Sequence, residues 1–208
     1  NFFARFLDIG GGSWSHWLAD LRTMGFRHLF GADPFIRDDV SCNGITIYKR
    51  HISQMVGTFD LITLHHSLEH IPNQEETLTA ARRLLAPNGV ILVRIPIVSS
   101  YAWRHYATNW VEMDPPRHPY LHSRESIRLL SEKSGLNLFA TICDSLEFEF
   151  YGSEQYLKGT PLTAENSYWP HQNTQIFTEE EIEGFREKAR RVNENDECGR
   201  ACFFFKAA

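Results

Sequence analysis

A glycine cluster directly after an apolar segment limits this chain to few folds. Phe6-Leu7-Asp8-Ile9 is followed by Gly10, Gly11 and Gly12, and an amphipathic helical pattern begins at Trp14. A second apolar segment, Leu29-Phe30, is followed by Asp33. In doubly wound α/β sheets this order of strand, glycine turn, helix, strand and carboxylate binds nucleosides. Glycine lets the backbone approach the ligand, and the carboxylate accepts hydrogen bonds from the ribose hydroxyls.

Strands and helices alternate through most of the remaining sequence. Periodicity and turn residues predict strands over residues 2–9, 27–31, 45–48, 59–64, 90–95, 136–143 and 201–206. Helices are predicted over residues 14–24, 73–85, 123–134 and from 178 to about 193, the last through a capping box of Thr178 and Glu181. This alternation predicts a mostly parallel sheet with helices on both faces.

Composition excludes several classes of protein. The chain has 208 residues, a net charge of -5 and no block of basic residues, so we expect no nucleic-acid partner. No apolar run approaches the ~20 residues that cross a membrane, so we expect no membrane span. The four cysteines form no CxxC pair, and we expect reduced thiols in a cytoplasmic protein; they are Cys42, Cys143, Cys198 and Cys202.

Four segments in order resemble the class I S-adenosylmethionine-dependent methyltransferases. They are Leu7-Asp8-Ile9-Gly10-Gly11-Gly12-Ser13, Gly31-Ala32-Asp33-Pro34, Phe59-Asp60-Leu61-Ile62 with Leu68-Glu69-His70-Ile71-Pro72, and Leu84-Leu85-Ala86-Pro87-Asn88-Gly89-Val90. Trp110 and Asp114-Pro115-Pro116-Arg117-His118 resemble the bacterial small-molecule branch, with domains of types 11 and 23. Four weak motifs in register make a specific signal.

The resemblance implies a fold and a cofactor site. It implies one domain over residues 1–208, Rossmann-like, with a doubly wound seven-stranded sheet whose last strand is antiparallel. Residues 1–96 would form the cofactor-binding half, and residues 97–208 the acceptor half with an insertion at about 146–195. The cofactor would be S-adenosylmethionine, and the product S-adenosylhomocysteine. Ten residues would contact the cofactor: Asp8, Gly10, Gly11, Gly12, Asp33, Pro34, His51, Ile52, Leu64 and His65.

Two positions depart from the family pattern. Trp14 stands where the family usually has a third glycine, and its side chain would lie near the methionine carboxylate. Arg50-His51 stands where the family usually offers an aspartate to the adenine amino group. Both departures concern cofactor affinity rather than the fold.

Other interpretations of the same residues stay open at this point. A nicotinamide-binding site expects G-x-G-x-x-G, and the chain has Ser15 at the last glycine position. His66-Ser67-Leu68-Glu69-His70 matches the H-x-x-E-H signature of zinc proteases, but it follows a predicted strand. We favour structural roles for Glu69 and His70, and we predict no metal site.

The aromatic segment of residues 101–120 follows the fifth predicted strand, at the sheet edge where ligands bind in such folds. It is either packing beneath a long loop or an acceptor pocket whose candidate contacts are Trp103, Tyr106, Trp110 and Arg117. A histidine suits removal of a hydroxyl proton, and the candidates are His118, with Asp114 or Arg117 as orienting partner, and His66.

The sequence therefore predicts transfer of a methyl group from S-adenosylmethionine to a small molecule or glycan, with oxygen favoured as the acceptor atom. The alternatives are an inactive methyltransferase-like binding module and a nicotinamide-dependent oxidoreductase. A homodimer is an open possibility, and residues 146–177 carry no assignable motif.

Overall fold

The computed structural model describes residues 2–169 and 176–208. Within these ranges the strands are β1 (Arg5–Ile9), β2 (His28–Ala32), β3 (Val40–Cys42), β4 (Ile45–Tyr48), β5 (Phe59–His65), β6 (Leu85–Pro96), β7 (Leu136–Cys143) and β8 (Arg200–Ala207). The α-helices are α1 (His16–Thr23), α2 (Gln74–Arg83), α3 (Tyr101–Tyr106), α4 (Arg124–Lys133), α5 (Phe148–Leu157) and α6 (Glu179–Glu194).

The strands form one sheet in the order β3-β4-β2-β1-β5-β6-β8-β7. β1 lies between β2 and β5 and is parallel to both, with Leu7 opposite Phe30 on one side and Ile62 on the other. β6 pairs in parallel with β5, and β4 with β2. Parallel strands of this kind are covered on both faces, which explains the near-continuous apolar runs of β1 and β5. The predicted Rossmann-like α/β class is confirmed.

The sheet has eight strands rather than the predicted seven. The additional strand is β3, whose three residues pair antiparallel with β4 at one edge of the sheet. A segment of three residues is too short to show an alternating pattern, so periodicity could not detect it.

The chain forms two compact units. Unit 1 comprises residues 1–95, 124–141 and 202–208, and unit 2 comprises residues 96–123 and 142–201. One core cluster of unit 1 packs α1 on the sheet, with Leu18 and Leu21 of the helix against Phe6 and Leu29. A core cluster of unit 2 joins α3, α5 and α6 around the buried ring of Trp110. The division into a cofactor half and an acceptor half of one domain stays a prediction.

The predicted state of two cysteines is wrong. Cys143 and Cys198, both in unit 2, form a disulfide with their Cα atoms 5.6 Å apart. They are separated by 55 residues in sequence, so no local spacing could indicate the pair. Cys42 and Cys202 lie outside this disulfide.

Candidate functional site

The glycine turn in unit 1 is held against two neighbouring segments. Gly10 has a positive φ of 78°, and its amide donates to the Ala32 carbonyl at the tip of β2 (3.0 Å). A Cβ on Gly10 would lie 2.6 Å from the Cβ of Ser67, in the loop after β5. Glycine is therefore required at this position both by conformation and by the close approach of Ser67.

Asp8 supports the turn from inside the protein. Its carboxylate accepts hydrogen bonds from the hydroxyls of Ser15 and Thr63, each at 2.7 Å. Burial raises the pKa of the Asp8 carboxyl, while the bonds from Ser15 and Thr63 act in the opposite direction. A Cβ on Gly11 would lie 2.6 Å from Asp8 Oδ2, so the backbone of the turn rests directly on this carboxyl group.

Asp33 joins the glycine turn to the end of β2. Its Oδ2 accepts a hydrogen bond from the Gly12 amide (2.9 Å), and its Oδ1 accepts one from the Phe35 amide (2.8 Å). Each carboxylate oxygen has a second lone pair, which a ribose hydroxyl can use. Apart from its two chain neighbours, no atom of the described residues lies within 4 Å of a Cβ added to Gly12, so there is open space beside the residue whose amide contacts this carboxylate. Phe35 is 93% exposed and offers a flat apolar face next to it. These residues fit a nucleoside.

The loop after β4 borders a cavity of about 300 Å³ in unit 1. His51 is exposed, and its amide donates to the Gln54 side chain (3.0 Å), which fixes a short 3₁₀ turn over Ile52–Gln54. Ile52 is buried within that turn. The cavity is lined by His51, Ile52, Ser53, Ile71, Pro72, Asn73, Glu76 and Thr77. Both residues predicted at the adenine edge therefore line one cavity.

The residues after β5 adopt a conformation that excludes the zinc-protease interpretation. His66 has a positive φ of 48°, and the following residues form only one 3₁₀ turn over Leu68–His70. The two histidines therefore do not share the face of an α-helix, which the H-x-x-E-H geometry requires. His66 Nδ1 lies 3.3 Å from Oε1 of Glu69, which is buried.

The last two predicted cofactor contacts differ in accessibility. Leu64 is fully buried in the core of unit 1. His65 is half-buried, and its ring packs edge-on against Trp17, with the centroids 5.3 Å apart. Pro34 is half-buried beside Asp33.

Three of the predicted acceptor-side residues meet around one carboxylate in unit 2. Asp114 has a positive φ of 40°, and its Oδ1 accepts a hydrogen bond from Arg117 (2.8 Å). That hydrogen bond raises the pKa of the Arg117 guanidinium. His118 Nε2 lies 3.9 Å from Asp114 Oδ2, and its Nδ1 lies 2.8 Å from the Glu112 carbonyl oxygen. A carbonyl only accepts, so Nδ1 carries a proton and the basic nitrogen of neutral His118 is Nε2.

The aromatic candidates of unit 2 mainly pack against one another. Tyr106 and Trp110 are 2% and 1% exposed, and the Tyr106 hydroxyl donates to Glu154 (2.9 Å). Burial, followed by this bond to Glu154, raises the pKa of Tyr106. Trp103 packs edge-on against Trp110 with centroids 5.9 Å apart, and it is half-buried. Tyr106 and Trp110 thus form an aromatic core, while Trp103 retains an accessible face.

Sequence reasoning missed a buried carboxyl group in unit 2. Glu149, in the first turn of α5, is 1% exposed. Its pKa is raised to about 8, first by burial and then by the charge of Glu112, while the Ser145 side chain and the charges of Arg200 and Lys188 act in the opposite direction. An ideal Cβ on Gly199 would lie 2.0 Å from Glu149 Oε2, so a side chain there would displace the carboxyl group. Nothing in the sequence around Glu149 indicates that it is buried.

A family model for a methyltransferase domain matches residues 3–141. The chain belongs to the methyltransferase domain family. The predicted class, S-adenosylmethionine-dependent methyltransferase, is confirmed with it, and the nicotinamide alternative is not supported. No curated protein matches the chain in sequence.

Solved structures share the fold of this methyltransferase at low sequence identity. The protein bound by the Trm112 methyltransferase activator of Haloferax volcanii superposes with a TM-score of 0.60 and 15% identity, over 98% of this chain and 82% of that one. LepI in complex with SAM superposes with a TM-score of 0.58 and 16% identity, over 99% of this chain and 43% of LepI. Mitomycin 7-O-methyltransferase MmcR superposes with a TM-score of 0.58 and 13% identity, over 99% of this chain and 49% of MmcR. The chain thus spans less than half of the latter two proteins.

No α-helix within residues 2–169 and 176–208 is both long and apolar enough to cross a membrane.

Proposed function

We propose that this methyltransferase transfers the methyl group of S-adenosylmethionine to an oxygen of a small molecule or glycan, in the cytoplasm. Asp33 is the main support for the cofactor in this proposal. Each of its two carboxylate oxygens accepts a hydrogen bond from one backbone amide and has a second lone pair. This arrangement suits a ribose with two adjacent hydroxyls. The exposed Phe35 and the cavity beside His51 and Ile52 suit an adenine ring.

We assign the remaining cofactor contacts by element. Gly10, Gly11 and Gly12 would let the methionine part approach the backbone of the turn, which Asp8 supports from below. His65, the last residue of β5, would lie at the reacting end. Leu64 would contribute apolar packing beneath it, since its side chain is buried.

The methyl carbon of a sulfonium is already electrophilic, so the enzyme mainly has to align acceptor, methyl group and sulfur. A neutral hydroxyl must also lose its proton, and we propose His118 as the base, with Nε2 as the accepting atom. The Glu112 carbonyl would hold its tautomer, and Asp114 would orient it. We expect His118→Gln to lower methyl transfer and to remove the acidic limb of its pH profile. An unchanged profile would leave no base role for His118.

The acceptor contacts in our proposal are Trp103 and Arg117, supported by Tyr106 and Trp110 from the core. His66 is the second candidate for the base, and its contact with Glu69 would orient the ring. An oxygen acceptor is favoured because a histidine matches the pKa range needed to take a hydroxyl proton during transfer. A homodimer remains part of this proposal without a specific interface.

Calorimetric titration of S-adenosylmethionine and S-adenosylhomocysteine, with NADH as control, tests the cofactor part. We expect micromolar binding of both sulfur compounds and none of NADH. Asp33→Ala should weaken binding at least about tenfold, because each lost hydrogen bond to a charged group is worth more than 1 kcal/mol. Asp20→Ala is the matched control, since Asp20 is exposed on α1. Wild-type protein that binds neither compound would contradict the proposal.

A second candidate function is a binding module without transfer activity. Trp14 favours it, because it replaces the third glycine of the family pattern and is 43% exposed. Radiolabelled methyl transfer to a panel of phenols, sugars and amines separates the two candidates. Labelled product supports the enzyme, whereas tight cofactor binding without any product across the panel supports the binding module.

A further inference from the structure

The Cys143–Cys198 disulfide joins the two ends of the segment between β7 and β8, which we call the insertion. Cys143 is the last residue of β7, and Cys198 lies two residues before β8. The 54 residues between them contain both α5 and α6. The covalent bond therefore joins the two ends of this insertion at its base.

Hydrogen bonds hold the same two ends together next to the disulfide. The Asp144 amide donates to the Arg200 carbonyl (2.9 Å), and Arg200 Nε donates to the Asp144 carbonyl (2.8 Å). The Ser145 backbone exchanges two hydrogen bonds with the Asn193 side chain (2.8 and 3.0 Å), and the Gly199 amide donates to Ser145 Oγ (2.9 Å). These bonds do not need the disulfide, so they would keep two reduced thiols close enough to pair again.

The two sulfur-bearing residues differ in accessibility. Cys198 is 1% exposed, whereas Cys143 is half-buried. Thiol–disulfide exchange depends on access of the attacking thiolate to one sulfur. An external thiol would therefore reach Sγ of Cys143 first, and the buried Cys198 would leave.

We propose that Cys143–Cys198 is a reversible thiol-exchange site that takes a small thiol of the glutathione class. The thiolate attacks Cys143 Sγ, the Cys143–Cys198 bond breaks, and Cys198 leaves with the electron pair and takes up a proton. A second thiolate attacks the sulfur of the bound thiol, releases the oxidised thiol and leaves Cys143 reduced. Two electrons pass from two thiols to the protein disulfide. The reduced Cys143 thiol can donate to Asp196 Oδ1, 3.6 Å from its sulfur.

Reduction changes what holds the insertion. In the oxidised protein a covalent bond and the five hydrogen bonds named above join its ends; reduction removes the covalent bond and leaves these hydrogen bonds in place. Local opening of α5 and α6 becomes easier, because the opened state gains the chain entropy that the disulfide withholds. This site is independent of the proposed transfer reaction and adds redox control over the insertion.

A redox titration tests the exchange. The Cys42→Ser/Cys202→Ser protein, which keeps only the pair, is equilibrated in mixtures of reduced and oxidised glutathione, quenched in acid and labelled with a heavy maleimide. We expect the folded protein, without denaturant, to show one two-electron transition, with a reduction potential in the range that glutathione sets in the cytoplasm. A pair that stays oxidised in millimolar reduced glutathione, or that never oxidises, would overturn the proposal.

Single-cysteine variants in the same background test which sulfur is attacked. Cys198→Ser or Cys198→Ala should accumulate a glutathione adduct on Cys143, and Cys143→Ser should form the adduct on Cys198 at least about tenfold more slowly. Equal rates would contradict the assignment.

Hydrogen exchange of α5 and α6 in the pair-only protein should rise at least about tenfold on reduction. The Cys143→Ser/Cys198→Ser control should be indifferent to the reductant, and unchanged exchange in the pair-only protein would contradict redox control.

Discussion

At the scale of single residues, the three consecutive glycines are required for different reasons. A side chain on Gly10 would collide with Ser67 and would also have to adopt a positive φ. A side chain on Gly11 would collide with the Asp8 carboxylate. Gly12 has a positive φ of 70° but open space around its missing side chain. The glycine cluster is therefore required partly by positive φ angles and partly by the close approach of Ser67 and Asp8.

Alanine substitutions separate these contributions. Gly12→Ala should lower the free energy of unfolding by about 1 kcal/mol, which is the usual cost of a positive φ. Gly10→Ala should cost about 2–4 kcal/mol, because overpacking against Ser67 is added to that strain. Urea unfolding measures both. Ser67→Gly should recover part of the loss in the Gly10 variant and none in the Gly12 variant; equal costs for the two alanines would contradict the role of Ser67.

Single residues also mark where sequence reasoning stops. The positions of the glycine turn after β1 and of Asp33 after β2 were predictable, because they follow from backbone conformation and from spacing along two strands. Asp114 and Arg117 were predicted as alternative orienting partners of His118; the hydrogen bond between Arg117 and Asp114 was not predicted, and the orienting role of Asp114 stays a prediction. The burial of Glu149 was not predictable, because it depends on Glu112 and Gly199 from distant segments.

At the scale of elements, helices with one apolar face were predicted well and buried helices were not. The capping box of α6 is confirmed: the Thr178 hydroxyl accepts from the Glu181 amide (3.2 Å), and the Thr178 amide donates to the Glu181 carboxylate (2.7 Å). α5 was missed because it is buried on most sides and has no amphipathic period; its buried residues are Glu149, Phe150, Tyr151, Gly152, Ser153 and Gln155. α3 has only six residues and lies within the predicted aromatic loop.

Element boundaries shifted where turn residues were given too much weight. The strand predicted over residues 90–95 was placed after Pro87-Asn88-Gly89, yet β6 extends from Leu85 to Pro96. Phe59 pairs with Leu85, and an irregularity in the pairing between Phe59 and Leu61 accommodates the proline–glycine segment. Sheet pairing therefore overrode the local turn preference, which no single segment of sequence shows.

At the scale of the whole molecule, the pH dependence of stability should include a contribution from the buried Glu149 carboxyl group. Glu149 has a pKa of about 8 in the folded protein against a reference value of 4.5. Below pH 4.5 it is protonated in both states. Between pH 4.5 and about 8 only the unfolded state loses the proton, so the free energy of unfolding falls as pH rises. Above pH 8 both states are ionised and this contribution is constant.

Glu149→Gln removes this dependence, because the amide does not titrate. Its free energy of unfolding, relative to wild type, should therefore rise with pH by up to about 1.4 kcal/mol per pH unit between pH 5 and 8. Urea unfolding across this range measures the difference, and the slope is unaffected by any constant cost of burying an amide. Glu180→Gln, at an exposed site on α6, is the control and should follow wild type. Parallel curves for Glu149→Gln and wild type would mean that Glu149 ionises equally in both states, and the buried carboxyl group would then have to be solvated in the folded protein.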